Sequence, residues 1–250
     1  TRSRRQALHR DAAAWYQGRD PLLHAEHLER AGEGAASAYL EAARALAQDF
    51  RFERALELAE RGRALAVQPA EHYGLACLVG ELLRDLARID ASIAAFEVAL
   101  DAAADDEQRC RAWLGMVAGQ RLAERHDEAL EVLARAEPVA TALGQAKLLA
   151  EFHILRGSIR FSLGHEAECL ADHETACVEA RRAGLPGLEA RALSGLGDAY
   201  YQRGRMITAQ GHFDHCVRIA RDHAETRIEV ANLCMRGITS FYLHDAAAVA

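Results

Sequence analysis

Lysine is almost missing from this chain: Lys147 is the only one, although arginine is abundant. Proline is scarce, with four among 250 residues, too few for a fold made of sharp turns. Aromatic residues make up only 6% of the chain, so a core built mainly on large rings is excluded. No run of alternating β-branched residues is long enough to suggest a sheet. No apolar run is long enough to cross a bilayer, and no signal peptide is evident. None of the six cysteines (Cys77, Cys110, Cys169, Cys177, Cys216 and Cys234) belongs to a C-x-x-C pair. Reduced thiols in a cytoplasm are the simplest expectation.

Basic charge is also short. The formal net charge is −7, which argues against a general nucleic-acid binder, because neutralising phosphates needs a basic surface. The one basic stretch, TRSRRQALHR, carries Arg2, Arg4, Arg5 and Arg10 and reads as the solvated end of a helix. No catalytic signature is present. There is no G-x-x-x-x-G-K-[ST] loop, and Ser158 after Gly157 is not part of a G-x-S-x-G elbow.

What is plentiful is alanine, leucine, arginine and glutamate, the best helix formers, so the expected class is all-α. Within it a register repeats. The stretch LSGLGDAYYQRGRMITAQGHF, residues 193–213, spaces Leu193, Leu196, Gly197 and Tyr200 on one helix, then Ala209 and Phe213 on the next. Small residues let two helices approach, and large ones fill the gaps beside them. Stepping by 40 residues from Gly197 gives Val117, Gly157 and Gly237; stepping by 37 further upstream gives Gly80 and Ala43. On the second helix the same steps align Ala55, Ser92, Ala129, Cys169 and Ala209. They also align Ala59, Phe96, Leu133, His173 and Phe213, and then Gly62, Ala99, Ala136, Ala176 and Cys216. Gly164 and Gly204 take the same place between paired helices, while Gly144 and Gly184 mark helix exits.

This pattern resembles the tetratricopeptide repeat, whose unit is a pair of antiparallel helices. The resemblance implies an α-α superhelix, a solenoid of helical hairpins. The register places hairpins at about 35–66, 70–104, 107–143, 147–183 and 187–223, with a half-unit from about 226. The step exceeds the 34 residues or so of the short unit, which implies longer helices. Residues 1–34 fall outside the register and read as two helices broken at Asp20-Pro21. From Leu8 to Leu46 the sequence resembles the junction joining a bacterial signal-transduction ATPase to its tetratricopeptide array. The expected organisation is an N-terminal helical linker or cap at 1–34 and the hairpin array at 35–250. The start at Thr1 and the apolar ending FYLHDAAAVA suggest a piece of a larger protein.

One segment invites a chemical interpretation. HEAECLADHETAC sets His165, Cys169, His173 and Cys177 four residues apart, a single stripe on a helix. Four such residues span about 18 Å at about 1.5 Å per residue, too far for one ion. The register assigns Cys169 to the small column and His173 to the column of Leu133 and Phe213, so filler is expected there rather than a metal site. His173 would then be a core histidine with one hydrogen-bond partner, and His165 would lie exposed at the turn. In HFDHC, Phe213 and Cys216 fall in core columns, leaving His212 and His215 at the edge.

With no catalytic, cofactor or metal residues assigned, function is expected on the surface lined by first helices, the inner face of such an array. The register projects Arg84, Arg121, Phe161, Tyr201 and Phe241 as one groove column. Ser158 and Asp198 lie in a second and Arg111, Glu151 and Arg191 in a third. Aromatic anchors flanked by arginines suit a peptide or helix with apolar and acidic side chains. The expected function is non-enzymatic: a protein-interaction or regulatory sensing module, with a protein segment or a neighbouring domain as partner. A small-ligand-sensing array is the alternative, a metalloprotein the more remote one, and self-association through an open end is a further possibility.

Overall fold

The computed structural model describes residues 2–243, and among these every regular element is an α-helix. The first two are α1 (Arg2–Tyr16) and α2 (Pro21–Ala31). Asp20 ends the gap between them: its carboxylate accepts the Leu23 N–H at 3.0 Å, and Pro21 opens α2 where its missing N–H costs nothing. Then come α3 (Ala36–Gln48), α4 (Phe52–Leu65), α5 (Pro69–Asp85), α6 (Ile89–Asp101) and α7 (Asp106–Leu122). The remainder are α8 (His126–Leu143), α9 (Ala146–Ser162), α10 (Glu166–Ala183), α11 (Pro186–Gln202), α12 (Met206–Asp222) and α13 (Thr226–Tyr242). The helix ends fall near the ends of the expected hairpins, but the hairpin expected at 107–143 has α7 and α8 in different compact units. The part of the expected half-unit at 244–250, with most of the FYLHDAAAVA ending, lies outside the described residues.

The chain divides into two compact units, residues 1–125 and 126–250. In the first, α1 packs on α2, α2 on α3, and the pairs α3–α4 and α5–α6 form hairpins. In the second, α9–α10 and α11–α12 are hairpins and α13 lies against α12. Within each unit the first helices also touch across hairpins: α3 meets α5 and α5 meets α7; α9 meets α11 and α11 meets α13. Among the described residues, α4 makes no comparable contact with α6, nor α10 with α12. The first helices therefore line one continuous face in each unit.

The repeat columns are the core. Ala55, Ser92, Ala129, Cys169 and Ala209 are all completely buried. Ala59, Phe96, Leu133, His173 and Phe213 are buried as well, and so are Gly62, Ala99, Ala136, Ala176 and Cys216. Ser92 fits its apolar column because its hydroxyl donates to the Gly80 carbonyl at 2.7 Å. The anchor glycines exist for the rings. A Cβ at Gly80 or Gly115 would strike the Phe96 ring, one at Gly157 or Gly195 the His173 ring, and one at Gly197 the Phe213 ring. Where the anchor is Val117, the partner column holds Leu133 and no ring. Ring and glycine are thus complementary volumes in a close-packed interior.

The same geometry accounts for the stripe from His165 to Cys177. His165 is exposed at the turn before α10, whereas Cys169, His173 and Cys177 are buried. Burial pushes the Cys169 and Cys177 thiols up to about 11, so both are protonated filler. The His173 ring fills the space that the missing side chains of Gly157 and Gly195 leave, and its buried Nδ1 has no hydrogen-bond partner among the described residues. Burial holds its pKa down at about 4.

The turns differ between the units. Between paired helices, Gly164 and Gly204 adopt the left-handed conformation (φ 74° and 70°) that the chain reversal requires. The equivalent positions upstream are Phe50, Ala87 and Glu124, with φ of 59°, 57° and 58°, each carrying a Cβ that this conformation disfavours.

Candidate functional site

The ten groove residues projected from the register are divided between the units. Arg84 on α5 and Arg111 and Arg121 on α7 belong to the first. Arg111 is exposed and its guanidinium is spent on Glu107 at 2.7 Å, one turn back on its own helix. Arg84 and Arg121 are half-buried. The other seven lie in the second unit: Glu151, Ser158 and Phe161 on α9, Arg191, Asp198 and Tyr201 on α11, and Phe241 on α13. Since α11 touches both α9 and α13, these seven lie on one continuous face.

The aromatic residues here are not alike. Phe161 is half-buried and packs on the hydrophobic cluster formed by Ile154, Cys169, Leu193 and Leu196, so it is partly structural. Tyr201 is half-buried, and its ring lies 6.3 Å from that of Tyr242, which is 6.0 Å from Phe241. The last two rings are largely open, Phe241 at 69% exposure and Tyr242 at 54%. Tyr242 is absent from the projected column, since it falls one position beyond it. Ser158 has its hydroxyl committed to the Ile154 carbonyl at 2.8 Å, one turn back, and is not a free donor.

Asp198 differs from every neighbour. It is half-buried in the middle of α11, between the glycine-flanked rings and Tyr201. Burial alone raises its carboxyl to about 6. The groups that sense it are the thiols of Cys169 and Cys216, which burial pushes up to about 11 and about 12, so neither offers a charge.

Sequence reasoning missed a second polar centre, between α9 and α10. Asp172 is buried, its side chain 3% exposed. Its carboxylate accepts Nε and Nη2 of Arg156 at 2.8–3.1 Å and Nη1 of Arg160 at 2.6 Å. His153 Nδ1 lies 2.8 Å from the same carboxylate, and Arg156 also reaches Glu137 at 2.6 Å. Burial would push Asp172 up, but the hydrogen bonds from His153 and Arg156 and the two guanidinium charges hold it below the usual carboxylate range. The signal for this network was present. His153, Arg156 and Arg160 stand one repeat before Leu193, Leu196 and Tyr200, which are core positions, and Asp172 stands one repeat before His212. With its charges satisfied internally, the network ties one hairpin together and offers little to a ligand.

No group of three or more metal-ligand side chains occurs among the described residues. No helix among them is long and apolar enough to cross a membrane.

Comparison with known proteins gives no sequence relative: no protein-family model matches the chain, and no curated protein matches it significantly. Solved structures do match. A Rap protein complexed with Competence and Sporulation Factor has a TM-score of 0.73 at 17% identity, over 90% of this chain and 67% of that one. A Signal Transduction ATPase with Numerous Domains (STAND) protein with a tetratricopeptide repeat sensor, from Pyrococcus horikoshii, has a TM-score of 0.63 at 15% identity. That match covers 88% of this chain but 35% of the other, so the chain spans about a third of the STAND protein's length. A thermophilic tetratricopeptide protein of Thermus thermophilus has a TM-score of 0.59 at 18% identity, over 80% of this chain and 98% of that one. At these identities the likeness is one of fold, and the fold is that of the tetratricopeptide-repeat proteins.

Proposed function

We propose that the chain is a non-enzymatic protein-interaction module that binds a peptide or helical segment on the first-helix face of its second unit. The observation that carries this reading is the state of that face. Tyr201, Tyr242 and Phe241 form a run of ring contacts ending in two largely exposed aromatics, beside an acid that the fold leaves without a counter-charge. Exposed aromatic anchors beside buried polar groups are the pattern of a recognition surface. The similar folds support it, since one is a Rap protein solved with a bound factor and another is described as a sensor. In keeping with those two, the module would serve a regulatory role in a bacterial signalling protein of the cytoplasm. Residues 1–34 would act as the helical linker or cap ahead of the array at 35–250, with α2 seated on α3.

Selection from a random peptide library displayed on phage tests this directly. Peptides that bind the wild-type chain should be lost when Tyr201→Ala and Phe241→Ala are used for counter-selection. Peptides that bind these variants unchanged would move the interface elsewhere. Thermal stabilisation by a metabolite, with no peptide selected, would favour small-ligand sensing.

A further inference from the structure

In the second unit, several buried or partly buried acids have cations. Asp172 has Arg156 and Arg160; Glu189, 15% exposed, has Arg181 at 2.7 Å; Glu229, 22% exposed, has Arg221 at 2.8 Å. Asp198 makes no hydrogen bond and no ion pair among the described residues, and no charged group of either sign shifts its carboxyl. The helices beside it offer nothing. One repeat before it on α9 is Ser158, whose hydroxyl is already committed; one repeat after it on α13 is Ile238. Beneath it are the protonated thiols of Cys169 on α10 and Cys216 on α12.

A partly desolvated carboxylate without a partner costs folding free energy, and asparagine would fill the same volume at a lower cost. The acid is therefore a stability defect on a face that also carries the exposed rings of Phe241 and Tyr242. Such a defect is removed when a ligand brings the missing charge. The side chain one turn further along α11 is Tyr201, so a segment that reaches the acid also reaches a ring.

We propose that Asp198 is a cation-receiving subsite: a guanidinium or ammonium side chain of a bound peptide pairs with its carboxylate while the apolar neighbours of that side chain lie along Tyr201 and Phe161. This rests on the peptide-binding reading of the face and sharpens it. At this position the ligand charge is cationic, unlike the acidic side chains expected opposite the groove arginines, of which Arg111 already has its own acid.

The test uses the 250-residue chain and three fluorescein-labelled nonapeptide pools. Each pool has a fixed central residue (Arg, Gln or Glu) and uncharged residues elsewhere. Fluorescence anisotropy should show the Arg pool binding about tenfold more tightly than the Gln pool, with the Glu pool weakest. Asp198→Asn should bring the Arg pool down to the Gln pool while raising the melting temperature. A purely structural carboxylate would not show that opposition. Asp222→Asn removes the same charge from an exposed position and should leave the preference intact. Equal binding of the Arg and Gln pools, or an Arg preference that survives Asp198→Asn, overturns the subsite but leaves the peptide-binding face standing. Free arginine binding as tightly as the Arg pool overturns the assignment to a peptide. If no pool binds, or if Tyr201→Ala changes none of them, the face and the subsite fall together.

Discussion

Where the α11–α12 hairpin places Leu193, Leu196, Tyr200 and His212 between its helices, the α9–α10 hairpin places His153, Arg156, Arg160 and Asp172. In the first, the Tyr200 and His212 rings stack at 5.3 Å. In the second, two arginines and a histidine converge on one buried carboxylate, and the Arg156 guanidinium lies 4.7 Å from the Phe152 ring. The backbone course is the same. What the two share is the set of columns around them: Gly157 and Gly197 as anchors, Cys169 and Ala209 as buried small residues, His173 and Phe213 as rings against glycine. The small columns and the ring sockets fix the hairpin. The positions between them accept either oil or charge, provided the charges close on themselves.

The largest effect should come from opening that charged contact. Asp172→Ala removes the acid shared by two mostly buried guanidinium groups, leaving Arg156 only Glu137, and should cost about 3 kcal/mol in urea unfolding, whereas His212→Ala at the equivalent place should cost about 1 kcal/mol. Combining His153→Leu, Arg156→Leu, Arg160→Tyr and Asp172→His copies the neighbouring hairpin and should recover most of the loss. Equal costs for the two alanine variants would erase the distinction between the hairpins.

The ring sockets give the next effect. With a folded pKa of about 4 against an ordinary 6.5, His173 is neutral in both folded and unfolded chains above pH 7. As pH falls through 6.5 the unfolded chain takes up the proton and the folded one does not. Stability should therefore drop by about 3 kcal/mol on reaching pH 4. Asp198 acts in the opposite sense. Its folded pKa of about 6 lies above the ordinary 3.8, so the folded chain takes up that proton first and gains stability as pH falls below 6. The difference between wild-type and His173→Phe curves isolates the histidine: the variant should lose the acid sensitivity and melt higher, matching the sockets of Phe96 and Phe213. Parallel curves for the two proteins would contradict the assignment.

The fold was legible because its strictest demand is a volume. Where two backbones meet, only Ala, Gly, Ser or Cys fits, so Ala55, Ser92, Ala129, Cys169 and Ala209 announce themselves at a fixed step whatever their chemistry. The candidate site was less legible. Asp172 and its arginines went unassigned: their alignment with core positions marks them as inward-facing, but a charged side chain does not reveal from sequence which neighbour it will meet. Asp198 was placed on the groove face, but that the fold supplies it no cation depends on what the flanking helices carry. The turns upstream were hidden for a different reason. Phe50, Ala87 and Glu124 hold a conformation usually reserved for glycine, so no residue type marks it.

Those turns supply the smallest effect and a comparison between the two units. Glu124→Gly should stabilise the protein by about 0.5–1 kcal/mol, while Gly164→Ala should destabilise it by about 1 kcal/mol, both read as shifts in the thermal midpoint. Changes of the same sign in the two variants would mean that the equivalent turns are not under equivalent constraint.

The most direct measurement follows the His173 ring by proton NMR, from pH 7.5 down to 5.5 and with zinc added at neutral pH. A ring held as filler against Gly157 and Gly195 stays neutral over that range and keeps its resonances when zinc is present. Titration near the ordinary 6.5, or a zinc-induced shift shared with the Cys169 and Cys177 signals, would show that chemistry rather than packing sets these positions.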